Sequence, residues 1–184
     1  MTSMPIPCPC SPFPLLTMNN EVIILEHPSE SLEEYIKLGN LYIQQQEWQK
    51  AIDVYDRALK INSELVEVYR NLVIACQKLE KKQLSAEYQY QLFKLEPEPI
   101  SAEEYYSLGN ELWFFNRPGK AADCYRQAIA LSPHFIEAHS QLGKLLTQVG
   151  QQDKALHVYQ NGVERNPENF SLHFLLAEAL ASQN

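Results

Sequence analysis

A short pattern returns at a fixed interval along the chain and constrains its fold more than any other feature. Leu-Gly occurs at Leu38–Gly39, Leu108–Gly109 and Leu142–Gly143, and the last two glycines lie 34 residues apart. The first two lie 70 residues apart, which is two such intervals plus two residues. A fixed interval of this length is typical of arrays that repeat one supersecondary unit. The sequence therefore predicts a divergent copy in between and a two-residue insertion near residues 98–101.

Placing the glycine at position 8 divides most of the chain into repeats. The predicted repeats are residues 32–65, 66–99, 102–135 and 136–169, followed by a half-repeat or capping helix at 170–184. Position 20 is small in all four, as Ala51, Ser85, Ala121 and Ala155. Position 24 is Tyr55, Tyr125 and Tyr159 in three repeats and Gln89 in the second. The second repeat is therefore the weakest match.

The residues that recur at fixed repeat positions indicate that each repeat is a pair of helices. Proline at position 32 (Pro97, Pro133 and Pro167) cannot continue a helix, because it lacks an N–H group and clashes with the preceding turn. Turn signals lie near the middle of the first, third and fourth repeats. We expect the small residues at positions 8 and 20 to face each other where the two helices cross. Since one pair cannot bury its apolar face alone, stacked pairs would form a continuous core.

These columns resemble the tetratricopeptide repeat over residues 32–184. The resemblance implies an all-α fold, a right-handed solenoid of antiparallel helix pairs with about 4.5 repeats. It also implies a concave groove lined by the first helix of each repeat. The candidate peptide-binding residues carried over to that groove are Lys37, Asn40, Arg70, Asn71, Tyr106, Asn110, Trp113, Phe114, Gln141 and Lys144.

The predicted groove is rich in amides and has one aromatic group. Asn and Gln side chains both donate and accept hydrogen bonds, so a row of them can hold a peptide backbone. Tyr106, Trp113 and Phe114 would provide an apolar platform of the kind that anchors interfaces. The competing interpretations are solvated polar positions for the amides and core packing for the aromatics.

Some members of the family bind the C-terminal carboxylate of chaperones through two asparagines and three basic residues. Asn40 and Asn71 match the asparagines, but Ile36, Glu103 and Ser107 occupy the basic positions. The sequence therefore argues against this clamp.

Charge and motif content argue against several other functions. The chain has 15 Lys and Arg against 23 Asp and Glu, a net charge of −8 that disfavours nucleic acid. We expect no enzyme activity, cofactor, metal or membrane span, and a cytoplasmic location. His139 and His173 are interpreted as packing residues, because no Cys or carboxylate lies at zinc-ligand spacing. The pair Cys8 and Cys10 is weak evidence for a metal site.

The function predicted from the sequence is a non-enzymatic scaffold that binds a partner peptide or helix in the groove. The alternative is the N-terminal arm of a larger glycosyltransferase, sulfotransferase or methyltransferase that presents a protein substrate. A reading frame continuing beyond Asn184 into a catalytic domain would favour the alternative.

Both ends of the chain carry further predictions. Residues 1–31 are expected to be largely disordered, because prolines interrupt the first part of this segment. The C-terminal helix is apolar on most sides. One side is expected to cover the fourth repeat, while Leu172, Phe174 and Leu175 stay exposed and mark an interface for a partner, for continued chain or for self-association.

Overall fold

The described part of the computed structural model comprises residues 16–18, 21–23, 31–95 and 100–182. Its helices are α1 (Leu32–Gln44), α2 (Trp48–Ile61), α3 (Val66–Lys78), α4 (Lys82–Leu95), α5 (Ala102–Phe114), α6 (Pro118–Leu131), α7 (Ile136–Gln148), α8 (Gln152–Arg165) and α9 (Phe170–Ala181). Helices adjacent in sequence contact each other from α1 to α9. Together these helices form an all-α repeat solenoid. We call α1, α3, α5, α7 and α9 the A helices, and the others the B helices.

Side-chain caps start several A helices. Ser31 Oγ accepts a hydrogen bond from the backbone of Glu34 at the start of α1. At the start of α5, Ser101 and Glu104 form a capping box, in which each side chain bonds the other residue's backbone N–H at 3.2 and 2.8 Å. Asn169 accepts from the backbone of Leu172 at 3.0 Å. These bonds satisfy N–H groups that a helix end leaves unpaired.

The turn between the A and B helices has the same backbone conformation in every repeat. Position 15 has a positive φ of 60° at Gln46, 55° at Glu80, 58° at Asn116 and 76° at Gly150. Side chains other than glycine adopt this left-handed conformation at some cost, and asparagine tolerates it better than most. Only the fourth repeat has glycine there, so the first two repeats have strained turns.

The glycines at position 8 allow the two helices of a repeat to pack closely. A Cβ atom added to Gly109 would lie 2.7 Å from Cε1 of Tyr125. Gly39 and Gly143 face Tyr55 and Tyr159 in the same way, at still shorter distances. The expectation that each glycine faces the small residue at position 20 is therefore wrong in detail. The nearest neighbour is the tyrosine ring at position 24, and the alanines at position 20 lie buried nearby.

Polar side chains on the B helices link successive repeats. The hydroxyl group of Tyr88 in α4 donates to Asp56 in α2 at 2.6 Å. Glu87 in α4 accepts hydrogen bonds from Arg117 at 2.7 Å and from Lys120 in α6 at 3.2 Å. Burial opposes ionisation of Glu87, but these two bonds outweigh it and hold the pKa of Glu87 below its usual value. Each contact fixes one repeat against the next.

Two short strands of the N-terminal segment pair with each other. Strands β1 (Leu16–Met18) and β2 (Glu21–Ile23) pair antiparallel, with Thr17 opposite Val22. These six residues belong to the segment that the sequence predicted to be largely disordered, and there they have regular structure. The rest of residues 1–30 lies outside the described residues, including Cys8 and Cys10. For that remainder, disorder stays a prediction.

The C-terminal helix exposes a different set of residues from the one expected. Leu172 is fully buried and Leu175 packs against the core, so the prediction that both are exposed was wrong. The reason is helical geometry, because these two side chains project from the face that covers the fourth repeat. Phe174 is 70% exposed, as expected, and Phe170 is 90% exposed.

Candidate functional site

A hydrogen-bonded network joins the A helices of the first two repeats. The hydroxyl group of Tyr55 donates to Asn40 Oδ1 at 2.6 Å and accepts from Asn71 Nδ2 at 3.0 Å. Asn71 Nδ2 also lies 3.2 Å from Asn40 Oδ1. Burial raises the pKa of Tyr55, and the bond from Asn71 partly opposes this effect. The two predicted asparagines are thus brought together and fixed by the tyrosine at position 24.

The third repeat has a similar amide contact and adds aromatic packing. Tyr125 donates to Asn110 Oδ1 at 2.8 Å, which leaves the amide hydrogens of Asn110 for other acceptors. The Trp113 ring meets Tyr125 edge-on at 6.3 Å, and Tyr106 lies 5.8 Å from Tyr125. Tyr106 also packs 5.0 Å from the ring of Phe135. Both Tyr106 and Trp113 are partly buried against the core, so they are structural in part.

Phe114 differs from these two aromatic residues. It is 83% exposed, and its ring contacts Phe115 at a centroid distance of 5.1 Å. Ring contacts with Tyr106 or Trp113 do not occur in the described residues. The three predicted aromatics therefore form two groups, and Phe114 is the one that offers a free apolar surface.

Phe114 stands beside a cavity of about 700 Å³ between the second and third repeats. Its lining residues are Gln77, Glu80, Lys82, Ser85, Gln89, Asn110, Glu111, Phe114 and Phe115. Ser85 is only 6% exposed and lies at the floor of this lining on α4. The cavity thus combines an aromatic wall with polar groups available for bonding.

The remaining predicted residues lie around this centre. Lys37 is exposed and lies 3.9 Å from Glu33, while Arg70 lies 3.8 Å from Glu67. Lys144 is exposed and Gln141 is half-buried, both on α7. The structure does not bring these four to the cavity, and their assignment to a binding surface stays a prediction.

The residues at the three basic positions of the carboxylate clamp cannot supply its positive charge. Ile36 packs against the core of the first two repeats, and Glu103 and Ser107 are exposed on α5. An anionic chain end would therefore meet an apolar, an acidic and a neutral side chain.

The histidines at position 4 have structural partners. His139 Nε2 lies 3.0 Å from the carbonyl oxygen of Pro133, and His173 Nε2 lies 2.8 Å from that of Pro167. Gly162 leaves room for His139, since a Cβ at that glycine would lie 3.1 Å from the imidazole. In the described ranges, no group of three or more His, Cys, Asp or Glu side chains is arranged to hold a metal ion.

Sequence reasoning missed the centre of the cavity. Ser85 and Gln89 were interpreted as departures from the residues usual at their repeat positions, and not as site residues. The signal that could have identified them is the same mismatch: Gln89 stands where the other repeats have tyrosine, and Ser85 stands where they have alanine.

Comparison with family models identifies the repeats independently. A model described as TPR repeat matches residues 39–79, and two described as tetratricopeptide repeat match residues 102–135 and 140–184. The chain belongs to the tetratricopeptide repeat family. The match at 102–135 has the same bounds as the third predicted repeat. As a TPR protein, the chain is a protein-interaction repeat array.

Several solved structures are similar to this TPR array. YrrB, described as a TPR protein with an unusual peptide-binding site, is 22% identical, with 86% of this chain and 81% of that chain covered and a TM-score of 0.47. MamA is 23% identical, with coverage of 85% and 84% and a TM-score of 0.48. TTC0263, a thermophilic TPR protein of Thermus thermophilus, is 20% identical, with coverage of 82% and 100% and a TM-score of 0.42. No curated protein matches the chain significantly.

Among the helices of the described residues, none is both long enough and apolar enough to span a membrane.

Proposed function

We propose that this TPR protein is a non-enzymatic scaffold that binds an extended segment of a partner protein across the A helices of the second and third repeats. The observation that carries the proposal is the cavity beside Phe114, where an 83% exposed aromatic ring adjoins polar side chains of the second and third repeats. Exposed aromatic residues next to a pocket are the usual anchors of an interface.

The polar residues of this surface suit a peptide backbone. Asn110 has amide hydrogens not used by Tyr125, and Gln77 and Gln89 add amides that both donate and accept. A peptide backbone presents N–H and C=O groups at regular intervals, so neutral amides can bond it without requiring one particular side chain. The net charge of −8 disfavours strongly acidic partners and nucleic acid.

We place the protein in the cytoplasm. Cys76 and Cys124 are both buried and unpaired, which suits a reducing compartment. Burial raises the pKa of Cys76 to about 11 and of Cys124 to about 12, so both thiols stay protonated and unreactive. Fractionation of cells expressing the full chain tests this location.

The peptide-binding proposal is tested by selection from a library of random peptides, each about a dozen residues long, on the immobilised full chain. Selected peptides are then titrated by fluorescence polarisation against wild-type protein and two variants from the third repeat. Phe114→Ser removes the exposed anchor, whereas Leu131→Ser removes an apolar side chain that is 55% exposed at the end of a B helix.

We expect Phe114→Ser to weaken binding about tenfold or more, the effect of losing an interface anchor. Leu131→Ser should leave the affinity unchanged. Equal effects of the two variants, or peptides that bind Phe114→Ser as well as wild type, would contradict the proposal.

We also propose self-association through α9. Phe170, Phe174, Ala177 and Ala181 form an exposed stripe without a charged residue, and Leu180 flanks it at 45% exposure. An antiparallel pair of α9 helices crossing at Ala177 would place Phe174 against Leu180 of a second copy, twice by symmetry. Such a pairing is self-complementary, as a twofold interface requires. It also brings no like charges together at the stripe, although each chain carries −8.

A further inference from the structure

A lysine of the third repeat shows how this chain holds a positive charge between two repeats. Lys120 Nζ lies 3.2 Å from Glu87 Oε2 and 5.4 Å from the centroid of the Tyr90 ring. Both partners favour the charge, because a carboxylate is anionic and the face of an aromatic ring carries partial negative charge. Glu87 and Tyr90 lie three residues apart on α4, a spacing that makes two side chains neighbours on a helix.

The first repeat contains the same combination with another lysine. Lys50 Nζ lies 5.6 Å from the centroid of the Tyr42 ring and forms an ion pair with Glu47. A ring and a carboxylate therefore hold a basic side chain at two separate places in the described residues.

Glu111 and Phe114 have the spacing of Glu87 and Tyr90, but they are exposed at the cavity. They lie three residues apart on α5, and both line the cavity of about 700 Å³. The Phe114 ring is 83% exposed, and no lysine or arginine of the described residues lies over it. Glu111 forms no ion pair within the described part of the chain. This pair thus presents a carboxylate and a ring face to a ligand from outside.

The charge of the surroundings also favours a cation. Helix α5 contains three glutamates and no lysine or arginine. Glu80 adds a second carboxylate to the cavity from the second repeat, and Lys82 is the one basic residue of the lining, so the lining has a formal charge of −1. The net charge of −8 attracts a basic segment over longer distances.

We infer that the cavity receives a basic side chain, lysine or arginine, of the bound peptide, an inference that rests on the proposed function. The cation forms an ion pair with Glu111 and lies over the face of the Phe114 ring. The amides of Gln77 and Gln89 remain for the peptide backbone beside it. The partner segment that fits this surface is therefore a basic one.

The inference is tested with single amino-acid amides rather than with a partner. N-acetyl-argininamide and N-acetyl-lysinamide are titrated into the full chain, with backbone amide signals followed by NMR. Their neutral counterparts are N-acetyl-citrullinamide and N-acetyl-norleucinamide. We expect the better of the two basic probes to shift the signals of Glu111 and Phe114 with a dissociation constant on the order of 1 mM. Its neutral counterpart should bind about fivefold more weakly, because it lacks the ion pair and the contact of a cation with the ring.

Two matched variants test the role of the carboxylate, since Glu111→Gln and Glu103→Gln each remove one exposed glutamate from α5. Glu103 lies about 12 Å away along the helix, which is more than the Debye length of about 10 Å at about 0.1 M salt. At that salt concentration Glu111→Gln should abolish the preference for the basic probe, whereas Glu103→Gln should retain it. Lys82→Gln should strengthen binding of the basic probe about twofold.

A further variant tests the role of the ring. Phe114→Leu keeps an apolar side chain but removes the ring face, and it should weaken binding of the basic probe about threefold. Circular dichroism should be unchanged in all four variants, because each replaced side chain is exposed.

Equal binding of the basic and neutral probes by the wild-type chain would overturn the inference, as would a preference that survives in Glu111→Gln. The two proposals fail separately. Selected peptides that depend on Phe114 but contain no lysine or arginine would leave the proposed function standing and refute the basic-residue pocket. A charge preference that depends on Glu111, without any selected peptide that depends on Phe114, would do the reverse.

Discussion

Replacement of Gly109 by alanine tests the helix packing on which the binding surface depends. An added Cβ would lie 2.7 Å from Cε1 and 2.9 Å from Cδ1 of Tyr125, and 3.3 Å from Cβ of Cys124. Carbon atoms in favourable contact lie about 3.5–4.0 Å apart. Tyr125 is fully buried, and its hydroxyl group donates a hydrogen bond to Asn110. The ring therefore cannot move away without losing its core packing and this hydrogen bond.

The expected effect is a balance of two opposing terms. Overpacking a core costs about 1–3 kcal/mol, while alanine is favoured over glycine within a helix by about 1 kcal/mol. We expect Gly109→Ala to lower the free energy of unfolding by up to about 2 kcal/mol. For a domain of this size that corresponds to a fall in Tm of up to about 8 °C.

The same repeat provides a control for helix propensity. Gly119 lies in α6, and a Cβ added there has no heavy atom within 4 Å. Gly119→Ala should therefore raise the free energy of unfolding by up to about 1 kcal/mol. The assays are thermal and urea unfolding followed by far-ultraviolet circular dichroism.

A double mutant identifies the source of the effect. In a Tyr125→Ala background the ring is gone, so Gly109→Ala should become neutral or stabilising. The reasoning would be refuted if Gly109→Ala raised Tm as Gly119→Ala does, or if its cost were unchanged without Tyr125.

Three further predictions concern other parts of the chain. Burial raises the pKa of Cys124 from 9.0 to about 12, so between these two values the folded thiol stays protonated while the unfolded thiol ionises. The free energy of unfolding should therefore be highest below pH 9 and should fall by up to about 1.4 kcal/mol per pH unit between pH 9 and 12. Urea unfolding from about pH 8 to about pH 10.5 should show a shallower decline for Cys124→Ala, and an identical decline would contradict this. Gln46→Gly should raise the free energy of unfolding by up to about 1 kcal/mol, because glycine adopts a φ of 60° without strain, and a lower urea midpoint would disprove it. Light scattering should show a concentration-dependent dimer that Phe174→Glu converts to a monomer, whereas a wild-type monomer at all concentrations would exclude self-association.

The sequence predicted the helix pairs well because their determinants are local and repeated. The Leu-Gly spacing located the crossing glycines, and proline at position 32 marked the ends of repeats. Face assignment was harder at the chain end, where α9 is apolar on nearly every side. Leu172 and Leu175 could not be assigned to the core side from such a pattern, because a helix without a polar face does not show which side is buried.

The candidate site was predicted less completely, because it depends on packing between repeats. The positions of Asn40 and Asn71 in their repeats predict that the two residues lie on facing helices. Their hydrogen bonds with Tyr55 could be identified only in the structure. The aromatic residues Tyr106 and Trp113 have the spacing of a surface platform, and the structure packs both against Tyr125. The cavity at Gln89 is lined by residues of two successive repeats, so a search within single repeats does not detect it.

The central claim is that peptides bind across the A helices at the junction of the second and third repeats. The most direct test is to map the residues of the full chain that a selected peptide contacts. Backbone amide signals are recorded by NMR during titration with that peptide. The account predicts that the largest shifts fall on α3, on α5 and around Ser85 and Gln89, with none on the outer face of α6. Largest shifts on α9 or on the B helices around Asp123, with the cavity residues unmoved, would contradict it.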